Sequence, residues 1–208
     1  FAKPTTDIAF KKLFADPKHQ NILISFLNSM LERKKDKRIV KAIVSDPNNL
    51  PIVDGDLHSI VDVRCTDELG RRYIVEVQLE DEKNFAQRCV YYSTRALAEQ
   101  FKPRQDYKEL VPVIFLGILK FNLFKGNDCI THFNITDNKT HTLVLDLLEW
   151  HFAELLKFNK PESTITEATD RWLYLLTHAE SLESVPPVLA KSEETSQAME
   201  VLNKHLWT

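Results

Sequence analysis

Residues 60–80, IVDVRCTDELGRRYIVEVQLE, decide the fold. Two apolar-rich runs flank a short polar break, and strand side chains alternate between faces. Val61, Val63 and Cys65 share one face of the first run, with Ile60, Asp62 and Arg64 on the other. In the second run Tyr73, Val75, Val77 and Leu79 form an apolar face, while Ile74, Glu76, Gln78 and Glu80 form a mixed one. The stretch reads as a β-hairpin turning through Asp67–Arg71, with Gly70 available for a positive φ. Keeping Val63 and Val75 on one face and centring the turn near Leu69 sets Asp62 opposite Glu76, with Gln78 diagonal to Asp62. Opposed Cβ atoms lie about 5 Å apart. Two carboxylates there repel by about 3 kcal/mol at an effective dielectric near 20. A proton, a cation such as Arg64, or a bound divalent metal would offset that. Oxygen-only surroundings suit Mg²⁺ or Mn²⁺ better than zinc. The plain structural alternative is a solvated hairpin face.

Outward from the hairpin, helical and strand-like patterns alternate, which indicates a mixed α/β class. Thr6 or Asp7 is placed to cap a short first helix, IAFKKLF, which Asp16-Pro17 breaks. Residues 18–32 carry apolar side chains at helical spacing. RIVKAIV (38–44) reads as a strand, NFAQRCVYYSTRALAEQF (84–101) as a helix, and VPVIFLGIL (111–119) as a central strand buried on both faces. Residues 129–136 and 142–146 read as further strands, 148–158 as an outer strand, and 166–182 and 192–205 as helices. Residues 1–160 read as the extent of one domain, and 161–208 as a helical C-terminal extension packed on or following the same domain.

The 208 residues are 43% apolar, enough for one core. No uncharged apolar run is long enough to span a bilayer, and no signal peptide is visible. Three cysteines, Cys65, Cys89 and Cys129, lack CxxC spacing, which points to a reducing, cytoplasmic setting and no zinc site. A net charge of −3 and a pI near 6.2 argue against a nucleic-acid coating protein. The basic stretch 32–38 reads as a solvated loop. His132 and His151 read as ordinary sheet residues. No Ser-His-Asp set and no Gly-rich phosphate loop is present.

Asp62, followed after thirteen residues by Glu76-Val-Gln78, resembles the PD-(D/E)xK nuclease signature, with Gln in the lysine position. KPTTDIAFKKLFAD, ILISFLNSML, SIVDVRCTDELGRRYIVEVQ and DYKELVPVIFLGIL, in that order, resemble the recombination-promoting nuclease / putative transposase family of bacteria. The resemblance covers roughly residues 3–180. It implies the restriction-endonuclease-like αβββαβ core, with flanking helices and additional strands. It also implies Mg²⁺-dependent (or Mn²⁺-dependent) hydrolysis of DNA, linked to recombination or transposition in a bacterial cytoplasm. Asp62 and Glu76 would bind the metal, and Gln78 would hold the attacking water. Val61 replaces the Pro of the signature. Gln78 is a neutral amide and cannot act as a general base, which leaves open a contribution from Lys11 or Lys12.

Asp7 is a further candidate ligand, against a plain role as helix N-cap. Gln87-Arg-Cys-Val-Tyr91 resembles the Q-x-x-x-Y element that some of these nucleases carry, so Gln87, Arg88 and Tyr91 are candidate DNA contacts. Arg95 is a further backbone contact candidate, against a solvated helix face for both arginines. The competing function is a non-catalytic nuclease-fold domain that binds DNA or protein. The partners expected are DNA, no membrane, and a homodimer left open.

Overall fold

The computed structural model describes residues 1–45, 63–101 and 106–207. Asp62 and most of the connection before it lie outside the described residues. A six-stranded mixed sheet has the order β1-β2-β3-β4-β6-β5. Its strands are β1 (Ala42–Ser45), β2 (Val63–Asp67), β3 (Arg72–Gln78), β4 (Val113–Leu119), β5 (Ile130–Thr136) and β6 (Leu143–Glu154). The helices are α1 (Asp7–Phe14), α2 (Gln20–Met30), α3 (Phe85–Ala98), α4 (Ala168–His178), α5 (Pro187–Ala190) and α6 (Glu193–Val201). The α/β class and the αβββαβ order expected from sequence are present, with further strands and helices after β4.

The hairpin register is the expected one. Val63 pairs with Val75, Arg64 with Ile74, Cys65 with Tyr73 and Thr66 with Arg72. Each pair has the same centre, Leu69. Asp67 locks the turn. Its Oδ1 accepts from the amides of Leu69 and Arg71, both at 2.9 Å. Its Oδ2 accepts from Arg71 Nε at 2.6 Å and from the buried Tyr73 hydroxyl at 2.7 Å. Gly70, at φ 79°, supplies the left-handed step.

β4 runs parallel to both β3 and β6. All seven of its residues are buried, as a strand covered on both faces requires. Parallel pairing of β3 with β4 needs a crossover, and α3 supplies it. On one face Tyr73, Val75, Ile114, Leu116, Ile118 and Ala153 pack with α1, α2, α4 and α6. Phe14 stacks on Phe26 at 4.3 Å there, and Trp172 of α4 meets Phe26 edge-on at 5.5 Å. The helices of 161–208 therefore share a core with α1 and α2. On the other face Phe85, Cys89, Tyr92 and Ala96 of α3 cover Ile74, Val113, Phe115, Leu119 and Phe152.

Three boundaries differ from the sequence reading. The strand expected over 38–44 begins only at Ala42. Asn28 of α2 takes both backbone hydrogen bonds of Ile39, at 2.8 Å each, so Ile39 has nothing left for a ladder. The strands expected at 142–146 and 148–158 are one strand, β6. It is also not outermost, because β5 pairs along its far edge. The expected helices shorten to Ala168–His178 and Glu193–Val201. Among the described residues no helix is long and apolar enough to cross a membrane.

Candidate active site

The mixed face of β3 is not a solvated hairpin face, because α3 covers it. Burial falls off along the strand. Tyr73 to Glu76 are buried, Val77 and Gln78 half-buried, and Leu79 and Glu80 exposed. Glu76 and Gln78 thus lie near the C-terminal end of a strand that runs parallel to its neighbour β4. In open α/β sheets that end is where ligands bind.

Arg88 of α3 joins them. Its Nη2 donates to Glu76 Oε1 at 2.9 Å and to Gln78 Oε1 at 2.7 Å. Its Nη1 donates to Glu82 Oε2 at 2.5 Å. The guanidinium also lies 5.1 Å from the Phe85 ring centre. Arg88 can only donate, so the Gln78 amide must turn its oxygen toward it. The amide nitrogen then reaches the Glu80 carbonyl at 3.1 Å. Burial works against the Arg88 charge, but the hydrogen bond to Glu82 and the charge of Glu76 outweigh it and raise its pKa. The exposed Glu82 carboxyl is held below the usual range by hydrogen bonds from Arg88 and Gln78. Burial, then the Glu76 charge, push the neighbouring Cys89 thiol up, so it stays neutral.

The cation beside Glu76 is therefore Arg88 and not Arg64. Arg64 has burial lowering its pKa, and its charged neighbours are Glu99, Arg95 and Arg72. Lys11 and Lys12 stand on α1, whose core packs on the opposite face of the sheet. Lys11 pairs with Asp7 at 2.7 Å, and Lys12 lies 5.0 Å from the centre of the Trp207 ring. Asp7 sits in the first turn of α1 and is exposed. Thr6 is the N-cap, and its hydroxyl bonds the Lys3 carbonyl at 3.0 Å rather than capping the helix. On α3, Gln87 and Tyr91 face outward. Tyr91 lies against Tyr92 and is hydrogen-bonded with Arg95, which also pairs with Glu99 at 3.0 Å. So Glu76, Gln78 and Arg88 come together, while Asp7 pairs with Lys11, and Tyr91 is hydrogen-bonded with Arg95.

Two site residues escaped the sequence reading. Glu82 lies in the loop before α3, six residues from Arg88, a separation with no helical or strand periodicity to reveal it. Gly117 of β4 pairs with Glu76 in the parallel register. A Cβ there would meet Phe152 at 2.8 Å, so the strand must be bare beside the carboxylate.

A second charged cluster lies on the other face. Arg33 Nη2 donates to Glu149 Oε2 at 2.6 Å, and His151 Nε2 lies 3.2 Å from the same oxygen. The His132 and His151 rings meet edge-to-face at 4.5 Å. The 32–38 stretch is thus not wholly a solvated loop, because Arg33 reaches into the sheet.

Chain and family agree with this architecture. Over residues 4–206 the sequence matches the model of the PD-(D/E)XK nuclease family transposase. The chain belongs to this family. No curated protein and no solved structure matches it. Membership supports a nuclease- or transposition-related function, with DNA as the substrate class and divalent metals as the general cofactor of such nucleases.

Among the described residues no three His, Cys, Asp or Glu side chains cluster to hold a metal. The fit rests instead on Glu76 and Gln78. Their oxygens converge on one cationic N–H group, so this point already holds positive charge. Glu76 offers the anionic oxygen that a hard divalent ion takes, and Gln78 a neutral oxygen beside it that can hold a water.

Proposed function

We propose that this protein is a metal-dependent DNA endonuclease whose Asp62 and Glu76 hold Mg²⁺ or Mn²⁺. The observation that carries the reading is the convergence of the Glu76 and Gln78 oxygens on one cation at the C-terminal end of β3. A divalent ion there would supply the charge that polarises a phosphoryl oxygen and acidifies a water. Glu76 contributes the anionic oxygen, from a position with low water access. Gln78 holds the attacking water by hydrogen bonding without taking its proton. Arg88, Gln87 and Tyr91, all on α3, meet the DNA backbone, and Asp7 is a further acidic ligand candidate from α1. The biological setting is DNA recombination or transposition.

The test is cleavage of supercoiled plasmid with Mg²⁺ or Mn²⁺. Asp62→Ala and Glu76→Ala should each abolish it while the circular dichroism spectrum is retained. Cleavage that survives in both variants removes this site. A second reading, a nuclease-fold domain that binds DNA or protein without cutting, draws on the neutral amide at Gln78 and the net charge of −3. DNA retention without cleavage by the wild type, with either metal, would favour it.

A further inference from the structure

We propose that Arg88 is a displaceable internal counter-ion, which a divalent cation must push off Glu76 and which then serves phosphate. The inference rests on the metal-binding reading above and adds an order of events to it.

Three features carry it. First, the guanidinium is divided. Nη2 alone spans Glu76 and Gln78, and Nη1 alone binds Glu82. Releasing the two site oxygens costs contacts at one nitrogen, while the other keeps its partner. Second, Glu82 is an acceptor outside the buried site, with a side chain 57% exposed against 8% for Glu76. The arginine can therefore leave the carboxylate without losing its ion pair. Third, the Arg88 Nε is buried with no hydrogen-bond partner among the described residues. The resting arrangement leaves one donor of the fork unspent.

A divalent ion held by Glu76 would stand close to the guanidinium that already bonds Glu76 Oε1 and Gln78 Oε1. Arginine does not lose its proton, so the two positive charges would repel across the carboxylate and compete for it. Nη2 would then turn outward while Nη1 keeps Glu82 and the guanidinium stays near the Phe85 ring. The displaced fork then matches a phosphate bidentately. The backbone contact at Arg88 thus becomes available only after the metal binds.

Calorimetric titration of Mn²⁺ into wild type, Arg88→Met, Arg88→Lys and Glu82→Gln tests this without cleavage. Arg88→Met keeps the apolar stem on Phe85 and removes the competitor, so its Mn²⁺ dissociation constant should fall by about tenfold. Arg88→Lys keeps a charge on a single nitrogen that cannot hold Glu76 and Glu82 at once, so it should not reproduce the gain of Arg88→Met, and an equal gain overturns the charge competition. Glu82→Gln weakens the resting place, so Mn²⁺ should bind several-fold more weakly. That loss should shrink in an Arg88→Met background, where no arginine needs the resting place. Equal or weaker Mn²⁺ binding by Arg88→Met overturns the counter-ion role while leaving the metal site standing. If Arg88→Met does not fold, the Glu82→Gln affinity decides, and an unchanged value overturns the proposal. Absence of Mn²⁺ binding in every protein overturns the metal site and this inference with it.

Discussion

Gly117→Ala should destabilise the protein, although alanine is ordinarily the better residue in a strand. The added Cβ would stand 2.8 Å from Phe152 Cδ1, 3.2 Å from its Cε1 and 3.5 Å from Phe115 Cε1. Carbon atoms in contact normally sit about 3.5–4.0 Å apart. The Phe152 ring would have to withdraw by about 0.7 Å at its nearest atom. It is boxed in, with ring centres of Phe124 at 5.1 Å, Phe133 at 6.0 Å, Phe115 at 6.1 Å and Phe85 at 6.4 Å. Overpacking of such a site costs about 1–3 kcal/mol. Loss of glycine's unfolded-state freedom returns about 0.5–1 kcal/mol. The difference spans about 0–2.5 kcal/mol, and the boxed-in ring sets the expectation in its upper part, a loss of about 1–2 kcal/mol read in urea as a lower midpoint at unchanged slope. Phe152→Leu should relieve the clash, so the double variant should lose at least about 1 kcal/mol less than the two single losses added together. A Gly117→Ala protein as stable as wild type would show that Phe152 yields freely and would refute the reasoning.

Two further perturbations address the frame around the site. Asp67→Ala strips the acceptor from two amides, Arg71 Nε and the Tyr73 hydroxyl, and should cost about 3–5 kcal/mol in urea unfolding. A loss under about 1 kcal/mol would mean that the turn holds its register without the carboxylate. At Glu149, burial favours the neutral acid, but the His151 hydrogen bond and the Arg33 charge prevail and hold the pKa at about 2, against 4.5 for an unperturbed group. The folded value is the lower one, so this stabilisation is complete above pH 4.5 and disappears as pH falls toward 2. It amounts to at most about 3 kcal/mol. Glu149→Gln should flatten the stability profile across that window, and profiles that run parallel to wild type would contradict the assignment.

The fold was legible in the sequence where one physical rule dominates. The apolar run of β4 announces a strand covered on both faces. The alternation in 63–78 sets the register, because a slip of one residue would turn Val63 and Val75 to the other face. Glu76 and Gln78 were legible as candidates because they share the mixed face of the hairpin and follow Asp62 at the spacing of the nuclease signature. Legibility ends where distant elements meet. The pairing of Arg88 with Glu76 depends on how α3 lies across β3, and no local period encodes that. Asn28 ending the strand before Ala42, Arg33 reaching Glu149, and Gly117 making room for Phe152 are likewise tertiary events. β6 was divided in the sequence reading because its first half is exposed and its second half buried, so two unlike patterns occupy one strand. Asp62 lies outside the described residues, so its expected pairing with Glu76 rests on the register of the four pairs beside it.

Gln78 and Arg88 make sense only together. A lysine at position 78 would put an ammonium within hydrogen-bond reach of a guanidinium, two permanent donors with no acceptor between them. The amide offers the oxygen that allows Arg88 to sit 2.7 Å away and neutralise Glu76. A positive charge beside Glu76 is thus supplied from α3, on a long arm that is also held by Glu82. A strand lysine cannot easily leave its neighbour two residues away. An arginine reaching over from a helix can, because its second nitrogen has another carboxylate to hold. The burial gradient along β3 completes the arrangement. Glu76 lies deep enough to need a cation, and Gln78 and Glu82 lie close enough to solvent for one cation to be exchanged for another.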